Sequence, residues 1–142
     1  MNNKIFFTVY GKLVAKQSTR FRAVKDKDGK LFSIQYTDPK IKKWQERVRI
    51  AAEKHMPKDL FMGPIEMTLH FYFLLPKTMR RKHAFMEAKF KSTKPDCENL
   101  MKGIADALEK TFYFNDWQIA HADIWKHYTK EQERVEITIN AL

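Results

Sequence analysis

Residues 65–75 alternate in a way that leaves little choice of structure: Ile65, Met67, Leu69, Phe71, Phe73 and Leu75 are apolar, and Glu66, Thr68, His70 and Tyr72 fall between them. A period of two puts the apolar set on one face of a β-strand, and a slip of one residue would turn all of it to water. Gly63-Pro64 precedes the run and Pro76 ends it, as turn residues do at strand limits. The segment therefore predicts a central core strand that the rest of the chain must cover. With 142 residues, that chain suits one domain, 1–142, large enough for a real core.

The flanking segments supply the cover. Residues 4–10 are rich in aromatic and β-branched side chains and predict a strand ending at Gly11. Residues 12–30 are basic and polar, with a turn-like Lys27-Asp28-Gly29, and predict a mobile loop or hairpin. Asp38-Pro39 is a helix start, because Asp caps free amides and Pro fits the first helical position. That helix is expected to reach about His55, packing Ile41, Trp44, Val48, Ala51 and Ala52 against a sheet. Residues 77–88 are basic with some helical character. A second main helix is expected over 98–110, where Leu100, Met101, Ile104, Ala105 and Leu108 form an apolar stripe after Lys94-Pro95-Asp96. Residues 117–127 and 134–140 predict two strands, expected to pair antiparallel, the second burying Val135, Ile137 and Ile139. The predicted class is α+β: a single domain with a mixed β-sheet and two main helices.

Charge narrows the partners. Lys and Arg number 27 against 17 Asp and Glu, a formal net charge of +10, which favours a polyanion and above all nucleic acid. Lys16, Arg20 and Arg22 around Phe21, then Arg80 and Arg81 beside Lys77 and Lys82, and Lys94 are the candidate DNA contacts; a solvated basic loop is the alternative for the first group. The single Cys97 forms no internal disulfide, residues 1–12 lack the apolar run of a secretory signal, and the longest apolar stretch is far below a bilayer span. The expected setting is a reducing cytoplasm, with no membrane role. His55, His70, His83, His121 and His127 do not combine with Cys97 into a zinc-ligand spacing, and no phosphate-cradling Gly-rich motif occurs.

In so basic a chain, Asp96-Cys97-Glu98-Asn99 with Lys102, Asp106 and Asp116 stands out. Carboxylates repel phosphate and become useful beside it when a divalent ion intervenes, since hard oxygen ligands hold Mg²⁺ and Mg²⁺ binds phosphate oxygens. Asp96 and Glu98 lie where an extended segment enters a helix, so they can point the same way, and Glu98, Lys102 and Asp106 succeed one another at steps of four along one helix face. Asp116, beyond the helix, can return as a third ligand. A purely structural account also exists: Asp96 as a helix cap, Glu98 with Lys102 as a surface pair of about 0.3–0.5 kcal/mol, and Asp116 as a turn residue.

The run from Lys94 to Lys102, then Asp106-Ala107-Leu108, then Asn115-Asp116-Trp117-Gln118 resembles the signature of the RusA family of Holliday junction resolvases, approximately PD-x-DN-x-x-K, DAL and DD-x-Q. Tyr10-Gly11 with the basic stretch after it, and residues 134–139, resemble the family's opening and its final strand. The resemblance implies a homodimer that nicks four-way DNA junctions symmetrically with Mg²⁺, for which Mn²⁺ can substitute. By position it implies Asp96, Glu98 and Asp116 as metal-binding acids and Lys102 as the catalytic lysine. Asp106 matches the aspartate of DAL. Two positions depart from the pattern: Glu98 stands where the family usually has Asp, and Asn115 replaces the first acid of DD. The alternatives are a branched-DNA-binding protein without catalysis and a nuclease acting on flaps or forks.

Overall fold

A computed structural model describes residues 4–16, 20–82 and 90–142, with the side chains of Arg20, Arg81 and Lys82 outside that description. In chain order the elements are β1 (Lys4–Tyr10), β2 (Arg20–Lys25), β3 (Leu31–Tyr36), α1 (Pro39–Glu53), β4 (Ile65–Leu74), α2 (Lys77–Lys82), α3 (Cys97–Leu108), a 3-10 turn (Asp116–Gln118), β5 (Ile119–Thr129) and β6 (Arg134–Ala141). The architecture is the expected α+β, with a mixed four-stranded sheet, a separate two-stranded sheet and two main helices.

The four-stranded sheet has the order β1-β6-β4-β5. β4 runs antiparallel to β6 and parallel to β5. The expected antiparallel pairing of the last two strands is therefore corrected: β4 lies between β5 and β6. The physical reason is the strict apolar alternation of residues 65–75. Ile65, Met67, Leu69 and Phe71 are fully buried, so β4 belongs in the interior of the sheet with neighbours on both edges. At its end, Leu75 N donates to Thr129 O at 2.8 Å, so the turn from β5 to β6 passes across the end of β4.

One side of this sheet carries the core. Phe7 and Val9 of β1, the alternate residues of β4, and Val135, Ile137 and Ile139 of β6 meet Trp44 and Val48 of α1 and Leu100, Ile104 and Leu108 of α3. α1 packs on both α3 and β1. Its start follows the sequence: Asp38 Oδ1 accepts from Lys40 N at 2.9 Å and Pro39 opens the helix. It ends at Glu53, slightly before the expected His55, and its buried face includes Gln45, whose Nε2 donates to Gly103 O of α3 at 3.1 Å.

The basic segment after β1 leads into a hairpin. β2 and β3 pair antiparallel around a turn in which Asp26 Oδ1 accepts from Asp28 N at 2.9 Å and from Lys30 N at 2.8 Å, with Gly29 at φ 80°. β3 escaped the sequence reading because its side chains are mostly exposed and carry no buried alternation. The basic segment 77–88, expected to have some helical character, forms α2 over its first six residues, and residues 83–89 lie outside the described residues.

Candidate active site

α3 starts at Asp96, which holds the N-cap position in an extended conformation without a side-chain capping bond. The expected capping role of its carboxylate is thus not fulfilled, and the side chain stays exposed at the helix mouth. The approach to the helix is fixed from the sheet: Lys126 Nζ of β5 donates to Thr93 O at 2.7 Å and to Pro95 O at 2.9 Å.

One turn into α3, Glu98 and Lys102 stand on the same face. With Met101, Ala105, Asp116 and residues 119–122 at the start of β5, they line a cleft of about 280 Å³. The structure therefore brings together Glu98, Lys102 and Asp116, residues separated by up to 18 positions in sequence. Asp96 sits two residues upstream of Glu98 and is not among the residues lining this cleft.

Asp116 owes its position to a clamp in the loop after α3. Tyr113 is fully buried and donates its hydroxyl to Ala105 O at 2.6 Å, pinning the loop to the helix. Asn115 Oδ1 accepts from Trp117 N at 3.3 Å. Gln118 Oε1 accepts from Phe114 N at 2.8 Å and Asn115 N at 3.0 Å, while its Nε2 donates to Phe61 O at 2.8 Å and Gly63 O at 3.0 Å. Asn115, which departs from the sequence pattern, serves here as the cap of the turn that presents Asp116, a role Asn and Asp share.

A second acidic grouping shares Asp116. Oxygens from Asp106, Glu109 and Asp116 all lie within 4.8 Å of one another, and Glu109 Oε1 accepts from Asp116 N at 2.9 Å. Three hard carboxylate donors, each partly open to solvent, fit a divalent cation that keeps some of its water. Their negative field is felt by Tyr113: burial first, then Glu109, Asp116 and Asp106, push its hydroxyl far above the ordinary tyrosine value, so it remains a hydrogen-bond donor. Lys16 forms an ion pair with Asp106, and its backbone N donates to Asn99 O at 3.0 Å. Glu109 was missed by sequence reading because it lies past the periodic part of the helix, and its neighbours are apparent only once the loop has folded back.

Other candidates fall as follows. Lys16, expected to contact DNA, is engaged by Asp106. Arg22 and Lys94 are exposed, and Arg80 Nε donates to Leu75 O at 2.8 Å. The side chains of Arg20 and Arg81 lie outside the described residues. Two features went unread: Trp117, 83% exposed beside Asp116, and a groove of about 560 Å³ on α1 lined by Thr37, Lys42, Lys43, Gln45, Glu46 and Arg49. His121, treated as ordinary from sequence, lines the acidic cleft with its Nδ1 at 3.0 Å from Glu66 and its Nε2 at 3.5 Å from Asp123.

Two comparisons bear on this site. The family model described as Endodeoxyribonuclease RusA matches residues 11–140, a span that contains both acidic groupings, the lysine and the clamp. The uncharacterized protein YqaN of Bacillus subtilis (strain 168) is 33% identical over 141 residues, covering 95% of this chain and 94% of that protein. With nearly its whole length matched, the chain belongs to the RusA endodeoxyribonuclease family.

Proposed function

We propose that this nuclease resolves four-way DNA junctions by Mg²⁺-dependent, symmetric paired nicking, acting as a homodimer, with Mn²⁺ able to replace Mg²⁺. The observation that carries the reading is the convergence of Glu98, Lys102 and Asp116 on one cleft in a chain of net charge +10. Asp96, Glu98 and Asp116 would hold the ion, and Asp106 with Glu109 offers further carboxylates within 4.8 Å of Asp116. When bound, Mg²⁺ supplies Lewis-acid charge at the scissile phosphate and activates water for in-line attack. The Lys102 ammonium stands in the same cleft, where a fixed cation stabilises the extra negative charge of a phosphoryl transition state. The clamp of Asn115 and Gln118 holds Asp116 against the loss of orientation that a free loop would allow. Two incisions on a near-symmetric substrate suit a two-fold protein, since one protomer nicks one strand.

End-labelled junctions, flaps, forks and duplexes incubated with Mg²⁺ or Mn²⁺ test the reading. Symmetric nicks in the four-way junction are expected, abolished in Asp96→Asn and Asp116→Asn while junction binding survives. Junctions bound but left whole by the native protein would make it a branched-DNA-binding protein. Preferential cutting of flaps or forks would change the substrate, and loss of folding in both variants would make the acids structural.

A further inference from the structure

Trp117 follows Asp116 in the chain and lies between two residues that line the acidic cleft, Asp116 and Ile119, yet it is 83% exposed. Trp44 is buried and Trp125 half-exposed, and a tryptophan left this open to water takes no part in the core. Met62, 80% exposed, and Phe114, 43% exposed, are its apolar neighbours. Gln118 gathers the three: its Nε2 donates to Phe61 O and Gly63 O on either side of Met62, its Oε1 accepts from Phe114 N, and Trp117 precedes it in the 3-10 turn. The turn is also held from other directions, since Trp117 N donates to Asn115 Oδ1 at 3.3 Å and Asp116 N to Glu109 Oε1 at 2.9 Å. A ring on so fixed a backbone has only its two side-chain dihedrals to lose when it is covered, so ordering subtracts little from the contact.

Size and place decide what covers the ring. A tryptophan side chain offers about 150–250 Å², well below the roughly 800 Å² that each partner of a stable protein pair buries, and close to what one planar aromatic ligand covers. The neighbouring cleft sets the chemistry of that ligand. Lys102 and the carboxylates with their ion suit the phosphate of a DNA strand. Consecutive Cα atoms lie about 3.8 Å apart, so a phosphate held at Asp116 leaves its own or the next base within reach of Trp117. A base inside a duplex is stacked on both faces and presents only its edges. A base at a branch point, flap or fork has a free π-face, which stacks on an aromatic ring whatever its identity. We infer that Trp117 is the stacking platform for an unpaired nucleobase beside the phosphate held at the acidic cleft, and that it makes the site prefer branched DNA to intact duplex without reading sequence. The inference rests on the reading of that cleft as the place where a DNA phosphate is held.

Fluorescence anisotropy of labelled four-way junction, fork and duplex of matched sequence, titrated with the full chain without added divalent ion, tests this apart from cleavage. The native protein is expected to bind branched DNA more tightly than duplex. Trp117→Ala should weaken branched-DNA binding about 5–150-fold, the equivalent of about 1–3 kcal/mol for one stacked base, and leave duplex binding within about twofold. Trp117→Phe keeps a π-face and should restore most of the preference, whereas Trp117→Lys adds a cation without a ring and should not. Iododeoxyuridine placed at the branch point should cross-link to Trp117 of the native protein on irradiation, read by mass spectrometry. Circular dichroism and sedimentation check that the variants keep the native fold and oligomeric state. A native protein without preference for branched DNA overturns the inference, as do equal losses on branched and duplex DNA, full affinity in the Ala and Lys variants, or a cross-link that avoids Trp117. Misfolding of both the Ala and Lys variants would make the ring structural, and a changed oligomeric state would assign it to a protein contact; either result also overturns the inference. The expected binding pattern in a native protein that leaves junctions whole with Mg²⁺ would overturn only the reading of junction cleavage.

Discussion

Gln118 illustrates how one side chain serves the site without facing the reaction. Its carboxamide uses both its oxygen and its nitrogen, accepting from Phe114 N and Asn115 N and donating to Phe61 O and Gly63 O. Gln118→Ala leaves two amides and two carbonyls to water or to nothing, a loss of about 2–4 kcal/mol for four bonds at roughly 0.5–1 kcal/mol each. Asp116 then loses its fixed place, and displacement of an acid by about 1 Å costs on the order of 100-fold in rate. The expected outcome is a folded protein with cleavage lowered by about that factor and junction binding kept. Native rates in a variant whose denaturation midpoint has fallen would show that the clamp serves stability alone.

At the scale of elements, β4 joins two surfaces of different chemistry. Its inward residues make the core, and its outward His70 and Tyr72 enter the ring stack with Trp125 and His127 of β5. His70 Nδ1 and His127 Nε2 are 2.9 Å apart. Burial first, then the neighbouring His70, lowers the His127 pKa from 6.5, while Glu136 opposes and Arg134 adds to the shift. A depressed folded-state value means that the unfolded chain binds the proton more readily, so this contribution to stability is complete above pH 6.5 and is lost as pH falls through the folded pKa. Thermal midpoints at fixed protein concentration are expected to hold from pH 8 to 7 and to decline below pH 6.5, with a shallower decline in His127→Phe. Identical profiles for the two proteins would remove His127 as the source. The same element accounts for the one topological error. Both 119–129 and 134–141 look like partners in a hairpin, yet each borders β4 instead, because the strand with the strictest apolar alternation takes the interior position.

Over the whole molecule, charge separates by side. α1 carries a groove lined by Lys42, Lys43 and Arg49, while the sheet face turned away from α1 and α3 is close to neutral. Each phosphate contact removed lowers the slope of log binding constant against log salt by about 0.9. Replacing Lys42, Lys43 and Arg49 together with Ala should therefore reduce the slope by about 2–3, and Lys4→Ala on the sheet face should leave it unchanged. Equal slopes for the triple variant and the native protein would exclude the groove from the DNA path. Much of this protein was determined by sequence alone. The two-residue period of 65–75, the capped start at Asp38-Pro39 and the apolar stripe of α3 are local patterns, and local patterns fix elements and their buried faces. The ordered motifs from Lys94 to Gln118 identified the family for the same reason, since they are contiguous in the chain. Only the tertiary structure decided the strand order, the capture of Lys16 by Asp106, the grouping of Glu109 with Asp106 and Asp116, and the neutral aromatic face, because each depends on where distant segments meet, and no spacing along the chain encodes that distance.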